Sequence, residues 1–243
     1  MKILEREALC LDLLRKLPQK FVLIGGYAAS SFDFPRFSVD LDLVVKGKDA
    51  QGFAKALMRE GFVLVQNAGE FSRFYKGRIM RFEKKVDSLP VSVDLFVNMV
   101  QSRQTDAAYS FEYLWENSEI RRVVGSGAKD HAEVRVANRE MLIALKINSM
   151  RMADQRDIIA LSNGPIDAAK VLGHLRRAPK DSILRHLDII SATLEKPESK
   201  DSIKGVFGIS DRVYERVIAK ARREIGFVRE GIFNLPHYTP GGE

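Results

Sequence analysis

The stretch that decides the fold is LIGGYAASSFDFPRFSVDLDLVV, residues 23–45. It joins two apolar runs through a Gly-Gly pair, and the second run contains two aspartates, Asp40 and Asp42. Burying one unpaired charge is costly, and burying two side by side is worse because like charges repel. The two carboxylates must therefore either line a rim that faces water or share a cation.

The run from Val39 to Val45 is typical of a β-strand, in which successive side chains point to opposite faces of the sheet. Asp40 and Asp42 then share one face, while the apolar residues of the run pack on a core. The run VSVDLFV, residues 91–97, places Asp94 in the same way. If the two strands are neighbours, Asp94 completes a group of three carboxylates. Mg²⁺ prefers such carboxylates together with water and phosphate oxygens.

The glycine pair, Gly25 and Gly26, follows a short apolar run and begins a predicted helix. Backbone N–H groups at a helix start can bind anions, and the helix dipole favours negative charge there. Because neither glycine has a Cβ atom, a phosphate chain could approach the backbone closely. A Gly-Gly pair alone is more often a turn, but here it precedes the two aspartate-bearing strands, which makes the pattern more specific.

Composition sets broad limits on the class of protein. The chain has 243 residues, of which 45% are hydrophobic, so we expect one large or two small domains with packed cores. A net charge of +7 favours polyanionic partners such as nucleotides or nucleic acid, although simple solubility also explains it. A single cysteine excludes an internal disulfide framework. With neither a signal segment nor a long apolar run, we expect a cytoplasmic protein that does not enter a membrane.

The order of predicted elements is helix, strand, helix, strand, helix and then several strands, followed by helices almost to the end. This order indicates an α+β fold, with a mixed sheet that carries helices on one face and a helical C-terminal domain. We expect a sheet domain over residues 1–137 and a helical domain over residues 138–243. The later predicted elements are strands at Phe62–Gln66, Phe71–Lys76 and Ile79–Glu83, helices at Tyr109–Glu116 and Arg139–Met152, and a loose tail at Pro236–Glu243.

The glycine pair, the Asp-x-Asp strand and the later aspartate-bearing strand resemble, in order and spacing, the signature of the nucleotidyltransferase superfamily with the DNA polymerase β-type fold. The form Arg36-x-Ser38-x-Asp40-x-Asp42 most resembles the AbiEii-type toxin nucleotidyltransferases. So does LIALKINSMRMADQRDIIAL, residues 142–161, in which a lysine precedes an Arg-Asp pair. The resemblance covers residues 21–161. Two departures stand out: many superfamily members have Gly-Ser in place of the glycine pair, and the family's second aspartate after Arg-Asp is Ala160 here.

The resemblance implies Mg²⁺-dependent transfer of a nucleoside monophosphate from an NTP, through two metal ions, with Mn²⁺ as an alternative ion. Asp40 and Asp42 would hold the metal that bridges the triphosphate, and Asp94 would join them on the second metal and help to deprotonate the acceptor hydroxyl. The nucleotide phosphates would be bound by Gly25, Gly26, Arg36 and Ser38.

Lys146 lies among apolar residues of a predicted helix, where a lysine either extends its head to solvent or has a role. The resemblance favours a catalytic role in phosphate binding. Asp157 is eleven residues further, which on one straight helix is roughly 16 Å along the axis. A break near Ala153-Asp154 would let the two side chains meet. Asp157 would then orient Lys146 and contribute to nucleotide binding, or it would simply cap a helix.

For the acceptor, the resemblance implies RNA, with the 3′ end of tRNA as the first candidate, and a toxin–antitoxin setting with an antitoxin protein as partner. One alternative is a nucleotidyltransferase that acts on a small molecule, as in aminoglycoside-modifying relatives. A second alternative is a catalytically idle member of the fold that binds nucleotide or a protein partner. The complete set of three aspartates argues against the idle alternative, because a carboxylate is usually the first group lost with function.

Overall fold

The structure is a computed structural model that describes residues 2–71, 77–127 and 130–235. The elements of the first part of the chain are α1 Lys2–Lys16, β1 Phe21–Ile24, α2 Gly25–Ser30, β2 Asp40–Val45, α3 Gly47–Arg59, β3 Val63–Phe71, β4 Gly77–Val86, β5 Leu89–Val97, β6 Met99–Gln101, β7 Ala108–Ser110, α4 Phe111–Glu116, β8 Ser118–Val124 and β9 His131–Ala137. The helices that follow are α5 Arg139–Ser149, α6 Met152–Leu161, α7 Ala168–Leu175, α8 Lys180–Glu195, α9 Pro197–Phe207 and α10 Asp211–Phe233.

The chain divides into two compact units. The sheet unit comprises Met1–Val100 and Tyr109–Asn138, and the helical unit comprises Gln101–Ala108 and Arg139–Glu243. The segment 101–108, which the sequence analysis assigned to the sheet domain, therefore belongs to the helical unit. Its attachment is visible in the hydrogen bond that Ser102 Oγ donates to the carbonyl of Asn148, at 2.8 Å.

The sheet unit is built on seven strands in the order β3-β4-β5-β2-β1-β9-β8. The pairs β1/β9 and β2/β5 are parallel, and the remaining pairs are antiparallel. The sheet is therefore mixed, and the helical C-terminal region follows it, so the predicted α+β fold class is confirmed. The two strands that carry the aspartates, β2 and β5, are direct neighbours near the middle of the sheet.

The two faces of the central strands differ in polarity. On one face, the side chains are apolar and almost fully buried, and they form the core. This core face includes Leu23, Leu41, Leu43, Val93, Leu95 and Phe82. Because paired residues of adjacent strands point to the same side, the register places charged and hydroxyl side chains together on the other face. This second face, which we call the polar face, includes Asp40, Asp42, Arg81, Glu83, Ser92 and Asp94.

Some predicted boundaries are wrong. The helix expected at Tyr109–Glu116 begins only at Phe111, because Ser110 caps it by accepting a hydrogen bond from the N–H of Tyr113 at 3.2 Å. The residues before it form β7. Strand β8 was not predicted at all. Most of the strand expected at Phe71–Lys76, and the tail Pro236–Glu243, lie outside the described residues.

The helix expected at Arg139–Met152 is also interrupted. Helix α5 ends at Ser149, and Met150 takes a positive φ of 47° before α6 begins at Met152. The chain bends here without proline or glycine, and this bend lies a few residues before the predicted break at Ala153-Asp154. Among the residues that the structure describes, no helix is long and apolar enough to cross a membrane.

Candidate active site

The three aspartates of the sequence analysis lie on the polar face of the sheet unit. In the parallel pair β2/β5, Asp42 is the register partner of Asp94, and Asp40 is the partner of Ser92. Adjacent strands are about 4.8 Å apart, so the register alone brings Asp42 and Asp94 close together. Asp40 is exposed, whereas Asp42 and Asp94 are half-buried.

A network of polar side chains connects the aspartates to β4. Ser92 donates its hydroxyl to Oδ1 of Asp40. Arg81, the register partner of Asp94, donates from Nη2 to Ser92 Oγ at 3.3 Å, and its Nε lies 3.8 Å from Asp94 Oδ1. Burial raises the pKa of the Asp94 carboxyl; Arg81 lowers that pKa, and the neighbouring charges of Asp40 and Glu83 raise it further. The surroundings of Asp94 therefore disfavour its charged form.

The glycine pair lies directly against the aspartate strand. Gly25 has a φ of +73°, and a Cβ atom built on it would overlap the Asp42 carboxylate. A Cβ atom on Gly26 would lie 2.9 Å from Arg36 Nη2 and 3.0 Å from Ser38 Oγ. The structure thus brings together the predicted phosphate-binding residues and the first pair of aspartates. The antiparallel register explains this proximity, since Ile24, the last residue of β1, is paired with Asp42.

Helix α2 fixes the segment that carries Arg36 and Ser38. The buried hydroxyl of Tyr27 donates to the Ser38 carbonyl at 2.8 Å, and the N–H of Arg36 donates to Ser30 Oγ at 3.2 Å. Sequence reasoning did not find Tyr27. Its position directly after the glycine pair was the available signal, because a large aromatic residue with a polar tip needs a partner when it is buried.

We predict that Gly25→Ala both lowers activity and destabilises the sheet unit, because the new methyl group meets Asp42 and an L-residue is strained at this φ. We expect a loss of about 1–3 kcal/mol of unfolding free energy, measured by urea denaturation, and nucleotidyl transfer reduced at least tenfold.

The matched control for Gly25→Ala is Gly52→Ala in α3. No atom outside its own helix lies within 4 Å of the position that a Cβ atom on Gly52 would occupy. Alanine is a better helix former than glycine, so Gly52→Ala should leave stability unchanged or raise it by up to about 1 kcal/mol. Equal stability of the Gly25→Ala and Gly52→Ala proteins would contradict the close packing of Gly25 on Asp42.

Lys146 and Asp157 meet in the helical unit. The bend between α5 and α6 brings the Lys146 ammonium within 2.6 Å of Asp157 Oδ2, so Asp157 pairs with Lys146 rather than capping a helix. A second carboxylate, that of Asp154, lies 3.2 Å from the same ammonium. All three side chains are at most 5% exposed. Lys146 therefore does not extend to solvent but lies in a buried cluster with two acids.

Asp154 was missed by sequence reasoning. Besides Lys146, it contacts Arg151, accepting the backbone N–H at 3.1 Å and the side-chain Nε at 2.9 Å. Burial raises the pKa of the Asp154 carboxyl, but Lys146 and Arg151 outweigh burial and lower that pKa to about 2. An acidic residue in the first turn of a helix is a recognisable signal. It could have been found if the start of α6 had been placed correctly.

A separate cavity of about 300 Å³ lies elsewhere on the sheet unit, next to the C-terminal end of β2, whereas the aspartates lie at its start. The lining residues are Lys20, Lys46, Lys48, Asp49, Phe111, Glu112, Trp115 and Glu116. Phe111 and Trp115 have ring centroids 5.5 Å apart. From the sequence, these aromatic rings could either stack on a base or pack in the core. Phe111 is buried, as core packing requires. The cavity is not part of the aspartate site.

The pattern of aspartates implies a divalent cation, which requires several ligand side chains close together. Among residues 2–71, 77–127 and 130–235, no group of three or more acidic, histidine or cysteine side chains is placed closely enough to hold a metal. In the structure, Ser92 donates its hydroxyl to Asp40, and Arg81 lies beside Asp94.

The chemistry of the residues nevertheless fits such an ion. The set supplies only carboxylate oxygens, which Mg²⁺ prefers. Asp94 Oδ1 is buried and accepts no hydrogen bond from the described residues. Rotation about the short aspartate side chains would suffice to bring oxygens on adjacent strands together.

Comparisons with known proteins identify the family. The model of the family described as "Nucleotidyl transferase AbiEii toxin, Type IV TA system" matches residues 11–204. A search of curated proteins found no match.

Two solved structures from Helicobacter pylori are among those that match this chain. One is a presumed nucleotidyltransferase, with 17% identity, a TM-score of 0.47, and coverage of 97% of this chain and 98% of that one. The other is JHP933, with 17% identity, a TM-score of 0.45, and coverage of 95% and 93%. The family match spans most of the chain and includes every residue of the candidate site. On this basis the chain belongs to the AbiEii nucleotidyltransferase toxin family and is a nucleotidyltransferase.

Proposed function

We propose that the polar face of the sheet unit is where this enzyme transfers a nucleoside monophosphate from an NTP to an acceptor hydroxyl, with release of pyrophosphate and in dependence on Mg²⁺. The observation that supports this most is the register of β2 with β5, which pairs Asp42 with Asp94 while Gly25 lies against Asp42. The carboxylates thus lie next to a backbone segment that phosphates can approach closely, and metal-assisted phosphoryl chemistry requires both features.

In this proposal Asp40 and Asp42 hold the ion next to the triphosphate, and Asp94 joins them in holding a second ion. When bound, the ions supply charge stabilisation to the attacking and leaving oxygens. Asp94 also accepts the proton of the acceptor hydroxyl, directly or through water. Burial already disfavours the charge on Asp94, which favours its acceptance of a proton.

The triphosphate is bound by residues of α2 and of the segment that α2 holds. Gly25 and Gly26 let the phosphates approach the backbone, because no Cβ atom is in the way. Arg36 supplies a charge-assisted contact and Ser38 a hydroxyl donor. Their backbone is anchored to α2 through Tyr27 and Ser30, so both side chains are pre-positioned.

Lys146 and Asp157 complete the proposal as nucleotide-binding residues. Two of the three ammonium donors of Lys146 point to Asp154 and Asp157, which fixes the direction of the side chain. The third donor would bind a phosphate oxygen. Asp157, with Asp154, then acts through Lys146 and orients it.

The acceptor is RNA in this proposal, and the 3′ end of tRNA is the first candidate. The family consists of toxins of type IV toxin–antitoxin systems, which implies a nucleotide substrate and an antitoxin partner. The net charge of +7 is compatible with a polyanionic acceptor. We propose that the enzyme acts in the cytoplasm, where NTPs and tRNA occur together.

The test is incubation of the purified protein with each of the four NTPs, labelled either at the α- or at the γ-phosphate, with Mg²⁺ and total RNA. We expect the α-label, and not the γ-label, to appear at RNA 3′ ends in the size range of tRNA. EDTA should abolish incorporation, and Mn²⁺ should restore it.

Two outcomes of this test would contradict the proposal in different ways. Incorporation of the γ-label would indicate phosphoryl rather than nucleotidyl transfer. Label that appears only in small molecules, when a metabolite extract replaces RNA, would indicate the small-molecule class of nucleotidyltransferase.

A further inference from the structure

The polar face also contains a cationic residue, Arg81, which sequence reasoning missed. It lies on β4 as the register partner of Asp94, on the side of β5 that faces away from β2. Its side chain is 40% exposed, so it borders the aspartates while remaining accessible to a ligand. Whether Arg81 contacts the NTP or the acceptor depends on which of the two binds on the β4 side of Asp94.

The strand order separates the two sides of the reaction. Within the sheet unit, the residues proposed to bind the triphosphate lie on α2 and just before β2, whereas Arg81 lies beyond Asp94 on β4. In nucleotidyl transfer the attacking and leaving oxygens are roughly in line on opposite sides of the reacting phosphorus. If pyrophosphate leaves on the side of Gly25, the acceptor hydroxyl must approach from the side of β4. Arg81 is then next to the acceptor and not next to the NTP.

The local contacts hold the guanidinium of Arg81 in a defined orientation. Its Nε lies 3.2 Å from Glu83 Oε1 and 3.8 Å from Asp94 Oδ1, and its Nη2 donates to Ser92 at 3.3 Å. Nη1 makes no hydrogen bond with the described residues. A guanidinium has five donors in a planar fork that suits phosphate oxygens, so the remaining donors can bind one more anionic group.

We propose that Arg81 binds a phosphate of a nucleic-acid acceptor, next to the hydroxyl that attacks the NTP. This inference rests on the proposed function and assigns a residue to the binding of its RNA acceptor. An acceptor strand carries a phosphodiester within one nucleotide of its terminal hydroxyl. A hydroxyl bound at Asp94 would therefore bring that phosphate near Arg81, whose Nε lies 3.8 Å from Asp94 Oδ1. A polycationic small molecule, such as an aminoglycoside, would instead be repelled by the guanidinium at this position.

The experiment compares Arg81→Gln and Arg81→Lys with the matched control Arg78→Gln. Arg78 is on the same strand, but the alternation of side chains places it on the opposite face. With an oligoribonucleotide as acceptor, Arg81→Gln should raise the KM for the oligonucleotide roughly tenfold and leave the KM for NTP unchanged. Arg81→Lys should restore part of the loss, because it keeps the charge but not the planar fork. Arg78→Gln should behave as wild type.

A binding measurement separates this inference from the proposed function. Fluorescence anisotropy of a labelled oligoribonucleotide with a 3′-deoxy end reports acceptor binding without any reaction. We expect roughly tenfold weaker binding by Arg81→Gln and a salt dependence whose log–log slope is smaller by about 0.7, the value for one lost phosphate contact. If wild type transfers nucleotide but Arg81→Gln has unchanged oligonucleotide KM and affinity, the inference is wrong and the proposed function stands. If wild type does not bind the oligonucleotide, the inference is also wrong.

Discussion

Replacing Asp42 or Asp94 with asparagine should reduce nucleotidyl transfer by about a thousandfold or more, while the protein remains folded. Loss of a metal-binding carboxylate removes several kcal/mol of transition-state stabilisation, and about 4 kcal/mol corresponds to a factor of a thousand. Folding should persist because each substitution relieves repulsion among neighbouring carboxylates. For Asp94 we expect a melting temperature equal to or above that of wild type, since burial disfavours its charge.

The measurement is the initial rate of α-labelled nucleotide incorporation, with the melting temperature recorded for each variant. The matched control is Asp12→Asn on α1, which removes an exposed carboxylate paired with Lys16 at 2.8 Å. Exposed ion pairs contribute little to stability, so this variant should match wild type in both measurements. Activity of Asp42→Asn within tenfold of wild type would show that the aspartate pair does not hold a catalytic metal.

Replacing Lys146 with methionine should destabilise the helical unit by about 3–5 kcal/mol, because two buried carboxylates lose their shared counter-charge. Denaturation in urea, followed by circular dichroism, measures the effect. Lys170→Met is the matched control, since Lys170 is 63% exposed and its ion pair with Asp167 is 4.0 Å long.

A triple variant tests the electrostatic origin of this loss. If Lys146→Met is combined with Asp154→Asn and Asp157→Asn, the uncompensated charges are removed and most of the stability should return. A Lys146→Met protein whose free energy of unfolding is within about 1 kcal/mol of the wild-type value would contradict the buried cluster seen in the structure.

The rescued triple variant also isolates the proposed phosphate contact. If Lys146 binds the NTP, the folded triple variant should use NTP about 10- to 100-fold less well, as expected for loss of a charge-assisted hydrogen bond of about 1.5–3 kcal/mol. An unchanged KM and kcat for NTP in the folded triple variant would assign Lys146 a structural role alone.

The strands that carry the aspartates were predictable because a half-polar strand has a simple period. Alternation in residues 39–45 and 91–97 assigns each side chain to a face, and the apolar sets could only be buried. The predicted group of three carboxylates required β2 and β5 to be neighbours, and these strands are paired in the structure. The register itself was not predictable, because the sequence does not state which residues of two distant strands stand opposite each other.

The residues that sequence reasoning missed depend on such long-range geometry. Arg81 belongs to the polar face only because β4 pairs with β5 in one register; a shift by one residue would place it on the core face. Asp154 joins Lys146 only because the chain bends at Met150, where neither proline nor glycine marks the bend. Local patterns therefore predicted the separate strands and helices, whereas their alignment decided which side chains meet.

The measurement that tests the central claim most directly is a crystal structure of the protein with Mn²⁺ and a non-hydrolysable NTP analogue, with the ions located by their anomalous scattering. Our account predicts ions bound by oxygens of Asp40, Asp42 and Asp94 at about 2.1 Å, with the triphosphate next to Gly25 and Gly26. Ions or nucleotide bound elsewhere, with Asp40 still bound by Ser92 and Asp94 still beside Arg81, would contradict it.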